Sequence, residues 1–254
     1  MTRHTDIVVD QFTRQATPFA NSTAMRHEDA LKLLVDFSGA VADDTVLDVA
    51  CGPGLVVAAF AKTCRRAAGI DITPAMIEKA REHAAALSLS NVDWHIGNVL
   101  PLPFPDRSFS VVVSRFAFHH FVDPLAVLRE MKRVATRRVV IADMIASDDP
   151  VRAAGLNRME KLRDPSHART LPLAELRGLF ADAGLPAPRE TFYDVRGELE
   201  RLLAASFPEP GDIPVIRQMF ADSLADDGLG MKTKRKDGMI LLSYPIAILA
   251  VDLV

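Results

Sequence analysis

Along the chain, apolar positions first fall into one helical stripe and then into short buried runs that alternate with helical stretches. Residues 1–19 show little periodicity and contain Pro18, so an arm is expected that becomes helical near Asn21. Leu31, Leu34, Val35 and Phe37 place one apolar stripe on the helix that follows. Thr45–Val49 (TVLDV) reads as a buried strand, Gly54–Lys62 as a helix and Ala67–Ile70 as a second strand. Thr73 as N-cap and Pro74 in the first turn start a helix that runs to about Ala86. Asn91–Ile96 and Phe109–Val113 are the third and fourth strands, Pro124–Val134 a helix, and Arg138–Asp143 (RVVIAD) the fifth strand. Strands that alternate with helices of this length argue for a mostly parallel α/β sheet covered on both faces.

The pattern changes after Asp148. Pro150–Arg163 and Pro172–Ala183 read as helices, Arg189–Val195 as a strand, and Leu199–Ala205 and Ile213–Leu224 as two more helices. Met239–Val251 is a long final strand, bent or bulged at Pro245 and suited to antiparallel pairing at the sheet edge. With no repeat and no low-complexity segment, one domain is expected over residues 1–254. It comprises an arm or lid (1–40), a core (41–145), and lid helices with C-terminal strands (146–254).

Composition narrows the function classes. The formal net charge is −3, and the only basic cluster is the short Lys232–Lys236 stretch. Nucleic-acid binders draw most of their affinity from phosphate neutralisation by a basic face, so no nucleic-acid partner is expected. Cys51 and Cys64 stand in no ligand spacing, so neither a metal site nor a disulfide is expected. The polar start of the chain lacks a signal-peptide core, and the apolar stretch from Ile240 is too short and too interrupted to span a bilayer. A cytoplasmic protein, monomeric or homodimeric, is the expectation.

The strongest chemical signal is Val46-Leu47-Asp48-Val49-Ala50-Cys51-Gly52-Pro53-Gly54, a strand that runs into a glycine turn and a helix. Glycines let the backbone pass close beneath a ligand. A dinucleotide fingerprint would carry a small residue three positions after Gly54, where Val57 stands. Asp48, inside the strand end, would crowd a pyrophosphate but suit an amino group. Asp71 ends the second strand, where a carboxylate can accept both hydroxyls of a vicinal diol. Capping or surface roles for Asp71, and core roles for Ile72 and Met76, stay open on the residues alone.

On these motifs the chain resembles the class I methyltransferases that use S-adenosylmethionine (SAM), in particular the ubiquinone/menaquinone-biosynthesis type. The likeness runs from about Asp44 to Asp143 and more loosely onward. It implies a Rossmann-like seven-stranded sheet, mostly parallel with an antiparallel last strand, helices on both faces and helical lid segments. It also implies SAM as cofactor and S-adenosylhomocysteine as product. By position, Asp48, Ala50, Cys51, Gly52 and Gly54 would underlie the methionine and ribose portions, Asp71 the ribose, and Ile72 and Met76 the adenine. The family carries Gly-Asp-Ala-x-x-Leu-Pro-Phe where this chain has Gly97-Asn98-Val99-Leu100-Pro101-Leu102-Pro103-Phe104. Asn98 can still accept a hydrogen bond from the adenine amino group, but without charge, and Val99 goes with it.

Ser114-Arg115-Phe116-Ala117-Phe118-His119-His120 follows the fourth strand, where ligands of open α/β sheets bind. Ser114 and Phe116 are expected beside the cofactor. His119, with His120 behind it, is the candidate base, since histidine titrates near neutrality; a structural role at the strand end is the alternative. Arg115 can pair with Asp123 or Glu130. Phe19 and His167 are candidate acceptor contacts, the latter in a turn that can equally be a structural Asx-turn. Arg26 is a candidate for the methionine carboxylate. The expected function is methyl transfer from SAM to a small apolar or neutral metabolite. The alternatives are a non-methylating, cyclase-like reaction on the same fold and a nucleic-acid methyltransferase. The last would want Asn/Asp-Pro-Pro-aromatic after the fourth strand, which this chain lacks.

Overall fold

The computed structural model describes residues 3–22 and 26–253; the outer limits of the expected domain, residues 1 and 254, lie outside them. Two helices, α1 (Arg3–Asn21) and α2 (Glu28–Ser38), precede an alternating segment. It runs β1 (Thr45–Val49), α3 (Leu55–Ala61), β2 (Arg66–Asp71), α4 (Pro74–Ala86), β3 (Val92–Ile96), β4 (Phe109–Arg115), α5 (Pro124–Val134) and β5 (Ala135–Met144). The rest of the chain contributes α6 (Pro150–Arg163), α7 (Leu173–Asp182), β6 (Arg189–Glu198), α8 (Leu199–Ser206), α9 (Asp212–Asp226), β7 (Lys234–Lys236) and β8 (Met239–Asp252).

The strands form one sheet in the order β3-β2-β1-β4-β5-β8-β6, with β7 added to β8. The first five run parallel, and β6, β7 and β8 pair antiparallel. The valine-rich runs lie in its centre because both of their faces are covered. Leu47, Val112 and Ile141 point to a core with Val127, Leu128 and Met131 of α5 and Phe180 of α7. Val46, Val111 and Val140 point the other way, to Leu34 of α2, Phe60 of α3 and Ile77 of α4. A third cluster joins Leu156 and Met159 of α6, Leu203 of α8 and Phe220 of α9 to Leu242, Tyr244 and Ile246 of β8.

Four expectations are corrected. The sheet has eight strands among the described residues, not seven, because Lys234–Lys236 pairs with β8 across a turn at Asp237 and Gly238, both at positive φ. The arm is a helix from Arg3 onward. Its buried face is partly polar: Gln11 and Gln15 are fully buried and donate to the Ser206 carbonyl, which hides the apolar period. The last strand is interior, between β5 and β6, and β6 is the edge. Pro245 makes no bulge, since the β6–β8 register runs unbroken from Arg189↔Ala250 to Glu198↔Leu241. Its carbonyl accepts from Ile145 N at 3.0 Å, just past the end of β5, so the missing N–H falls where that ladder has stopped. Among the described residues, no helix is long and apolar enough to cross a membrane.

Candidate active site

At the end of β1 the chain turns through positive φ at Ala50 (58°), Gly52 (50°) and Gly54 (75°). The two glycines serve different ends. A Cβ on Gly52 would meet nothing nearer than the Met76 sulfur at 4.0 Å, whereas one on Gly54 would fall 2.5 Å from the Trp94 ring and 2.8 Å from Ala80 Cβ. The Gly52 peptide is held by Asp71 at the end of β2: Gly52 N donates to Oδ2 at 2.9 Å and Thr73 N to Oδ1 at 2.8 Å. Burial raises the Asp71 carboxyl above the usual carboxylate range, and these backbone donors oppose the rise without cancelling it. Thr73 sits at the N-cap of α4, but its side chain makes no capping bond. Asp48 is 2% exposed, and its Oδ1 has no hydrogen-bond partner among the described residues. Burial pushes its carboxyl well up, Arg115 pulls it down and Asp71 adds to the rise.

Asp48, Ala50, Gly52 and Asp71 line a cavity of about 410 Å³. Ile72, Met76, Asn98 and Val99 line it, and the N-terminal helix closes it with His4, Val8, Phe12 and Phe19. His4 Nε2 lies 2.9 Å from the His120 carbonyl, and the Phe12 ring meets the His120 ring edge-on at 4.9 Å. Both contacts tie the helix to the turn that follows β4.

That turn begins with Phe116 at φ +57°, a conformation a bulky residue rarely adopts, and continues through the single 3₁₀ turn Phe118–His120. Asp143, at the end of β5, holds it in place. Its Oδ2 accepts from His119 N at 3.0 Å, and its Oδ1 accepts from the ring Nδ1 of His119 at 2.7 Å and from Met144 N at 2.7 Å. Nε2 of His119 makes no hydrogen bond among the described residues. His119 faces a second chamber of about 910 Å³, walled by Met144, Leu202, Tyr244 and Ile246 among others. His120 Nδ1 lies 3.1 Å from the Ser166 carbonyl; burial, reinforced by His119, holds this ring well below the ordinary histidine range and therefore neutral. Phe19, Phe116 and His120 line both cavities.

A family described as methyltransferase domain matches residues 47–142. An uncharacterized methyltransferase of Bacillus subtilis, YcgJ, is 33% identical over 172 residues, 67% of this chain and 68% of the relative. The chain belongs to the class I SAM-dependent methyltransferases. The crystal structure of YcgJ superposes with a TM-score of 0.82 at 25% identity, over 89% of this chain and 98% of that one. A demethylmenaquinone methyltransferase of Listeria monocytogenes is 37% identical over 92 residues, 35% of this chain and 39% of the relative. The [4+2]-cyclase SpnF shares the fold, with a TM-score of 0.61 at 17% identity over 88% of this chain and 80% of that one.

In this methyltransferase the smaller cavity gathers Asp48, Ala50, Cys51, Gly52, Asp71, Ile72, Met76, Asn98, Val99 and Phe116. Gly54 and Ser114, expected there, do not line it. Gly54 packs on Trp94, and the Ser114 hydroxyl donates to the Val49 carbonyl at 2.8 Å between β1 and β4. Asn98 Oδ1 already accepts from Leu100 N at 3.1 Å. His167 lines neither cavity: it is fully buried, bonded through Nε2 to Asn157 Oδ1 at 2.9 Å, and burial pushes it down to about 4. Its turn is an Asx-turn, with Ser166 N donating to Asp164 Oδ1 at 2.9 Å. Arg115 pairs with neither Asp123 nor Glu130. It reaches the Tyr193 hydroxyl at 3.4 Å and stacks 4.1 Å from the Phe116 ring centroid. The Arg26 guanidinium donates to the Ala20 carbonyl. Asp143, His4, Thr5 and Val8 were not anticipated. The signal for Asp143 was available, since it ends a buried strand as Asp48 and Asp71 do.

Proposed function

We propose that this methyltransferase binds SAM in the 410 Å³ cavity and methylates a small molecule held in the 910 Å³ chamber. The observation that carries the reading is the shared rim of Phe19, Phe116 and His120, which makes the two cavities neighbours across one strained turn. The donor set fits the cofactor. Asp48 offers a buried carboxyl oxygen, without a hydrogen-bond partner among the described residues, to the methionine amino group. Asp71 retains a second lone pair on each oxygen for the ribose hydroxyls, while Ile72, Met76 and Val99 offer apolar surface to the adenine. Asn98 keeps a lone pair on the oxygen that serves Leu100. When bound, SAM supplies an electrophilic methyl group on a sulfonium.

The protein's own part is alignment, exclusion of water and removal of a proton. Helix α1 covers the smaller cavity, and Phe19 and Phe116 present apolar surface where the two cavities meet. His119, oriented through Nδ1 by Asp143, is the base that accepts the acceptor's proton at Nε2. His120, kept neutral by burial, shapes the rim. Calorimetric titration with SAM, S-adenosylhomocysteine and NADH tests the cofactor assignment: micromolar binding of the first two with NADH silent is expected, and NADH binding alone would overturn it. With methyl-labelled SAM and a panel of small acceptors, S-adenosylhomocysteine should form in step with labelled product. Acceptor conversion without S-adenosylhomocysteine would instead assign the cyclase-like chemistry.

A further inference from the structure

The chamber assigned to the acceptor has a buried lining that mixes apolar side chains with polar ones such as Arg163, Asp164, His119 and Ser206, and an exposed lining that is mostly basic. Arg196 of β6, Arg201 of α8, and Lys232, Lys234 and Lys236 of the β7 segment all line it, and all are exposed. Lys232 is neutralised by Asp194 at 2.8 Å. The other four form no side-chain hydrogen bond or ion pair among the described residues. The acids that line the chamber, Asp164, Asp194 and Glu198, are outnumbered by its basic residues: Asp194 is taken by Lys232, Asp164 is engaged by Gln15 and Ser166, and Glu198 keeps its charge while capping α8 through the backbone of Glu200 and Arg201. Clustered like charges on a sheet destabilise it on their own. Register gathers them: Arg196 stands opposite Ser243 and Lys234 opposite Leu241, and strand alternation puts Lys236 on the side of Lys234.

A second observation points to a polar ligand group in the same place. Ser243 is 7% exposed, lines the chamber, and its hydroxyl has no partner among the described residues. A buried hydroxyl normally finds a partner. Here it lies across from one of the uncompensated guanidinium groups.

We propose that the acceptor is an amphiphilic anion, with an apolar body against Leu202 and Leu241 and a carboxylate or phosphate ester held by Arg196, Arg201, Lys234 and Lys236, with Ser243 donating to it. This rests on the reading of the larger chamber as the acceptor site, and it replaces the neutral acceptor expected from overall composition. A net charge of −3 says nothing of where the charges stand, and the exposed lining of this one chamber gathers five basic residues, Arg196, Arg201, Lys232, Lys234 and Lys236.

The test is calorimetric titration with three ligands of equal chain length, decanoate, decyl phosphate and decanol, with and without saturating S-adenosylhomocysteine. One or both anions should bind at least tenfold more tightly than decanol, with the preference shrinking at high salt; which anion wins identifies the headgroup. The double variant Lys234→Glu/Lys236→Glu, changed only at exposed positions, should lose that preference by tenfold or more while its S-adenosylhomocysteine affinity is unchanged. Ser243→Ala should weaken the preferred anion and leave decanol alone. Equal binding of all three ligands, or anion binding unaffected in the double variant, would overturn the proposal. Failure of S-adenosylhomocysteine to bind the wild-type protein would instead strike the methyl-transfer reading, while the comparison among the three ligands still decides the anion preference.

Discussion

Asp71→Asn separates the task one carboxylate performs, holding the glycine turn, from the one proposed for it, accepting from the ribose. In the wild type, each oxygen accepts one backbone N–H, from Gly52 at 2.9 Å and Thr73 at 2.8 Å, and each keeps a lone pair toward the cavity. An asparagine can present one oxygen only, so one of the two backbone donors must face an NH₂ group. The lost bond and the unsatisfied donor cost about 1–3 kcal/mol of stability. For a chain of this size that corresponds to a melting-temperature fall of roughly 2–12 °C. Toward SAM, the same change removes the charge and one acceptor. A hydrogen bond to a charged group contributes about 1.5–3 kcal/mol, so the dissociation constant should rise roughly 10- to 150-fold. Asp71→Ala removes both acceptors and should bind more weakly still.

The assay is calorimetry with SAM and S-adenosylhomocysteine on protein shown to be folded by its thermal transition at the working temperature. Both ligands carry the same ribose, so both affinities should fall by similar factors. A folded Asp71→Asn protein that binds both ligands as the wild type does would refute the ribose assignment. A selective loss of SAM with S-adenosylhomocysteine unaffected would move Asp71 to the sulfonium end.

The two turn glycines should part company. Gly54→Ala should cost about 2–4 kcal/mol in thermal melts, from overpacking against Trp94 and a strained φ, while Gly52→Ala should cost only about 1 kcal/mol yet weaken SAM binding. Asp143→Asn should leave SAM affinity intact and lower kcat about 100-fold with little change in KM, alongside a shifted pH–rate profile; an unchanged kcat and profile would return His119 to a structural role. His167 has its pKa pushed down to about 4 when folded, against about 6.5 unfolded, so the unfolded chain binds its proton first as pH falls. Its contribution is therefore complete above about pH 6.5 and lost toward pH 4, worth roughly 3 kcal/mol. Melting temperature should fall over that window, and His167→Asn should flatten the slope.

Legibility in the sequence followed the physics of each segment. The central strands declared themselves because burial on both faces leaves nothing but valines, isoleucines and alanines, as in Val111–Val113 and Val139–Ala142. Helix α1 did not, because two of its buried positions are glutamines whose partners lie on α8, nearly two hundred residues away. The place of β8 was misjudged although the signal was present. A 14-residue strand that is apolar almost throughout belongs inside a sheet, while the charged alternation of Arg189–Glu198 suits an edge. The Asp237-Gly238 pair was a hairpin signal hidden by reading its flanking lysines as a charge run.

The same division explains what could be foreseen in the site. The residues proposed for the cofactor's methionine, ribose and adenine sit at strand ends and in turns between Asp48 and Phe116, so local pattern places them, whereas the α1 residues that close the same cavity come from far away in sequence. The chamber proposed for the acceptor is assembled from α1, the His119 turn, the end of α6, α8, β6 and the β7–β8 hairpin, which meet only in the folded chain. Its charge was therefore invisible in the overall balance. Net charge sums over the whole surface, whereas recognition depends on which groups converge and remain uncompensated. Lys232, Lys234 and Lys236 look alike in sequence, yet Asp194 neutralises the first and leaves the other two facing the chamber. If the acceptor is chosen by those groups, relatives with the same strand-end acids can share the cofactor and differ in substrate through the β7 hairpin alone.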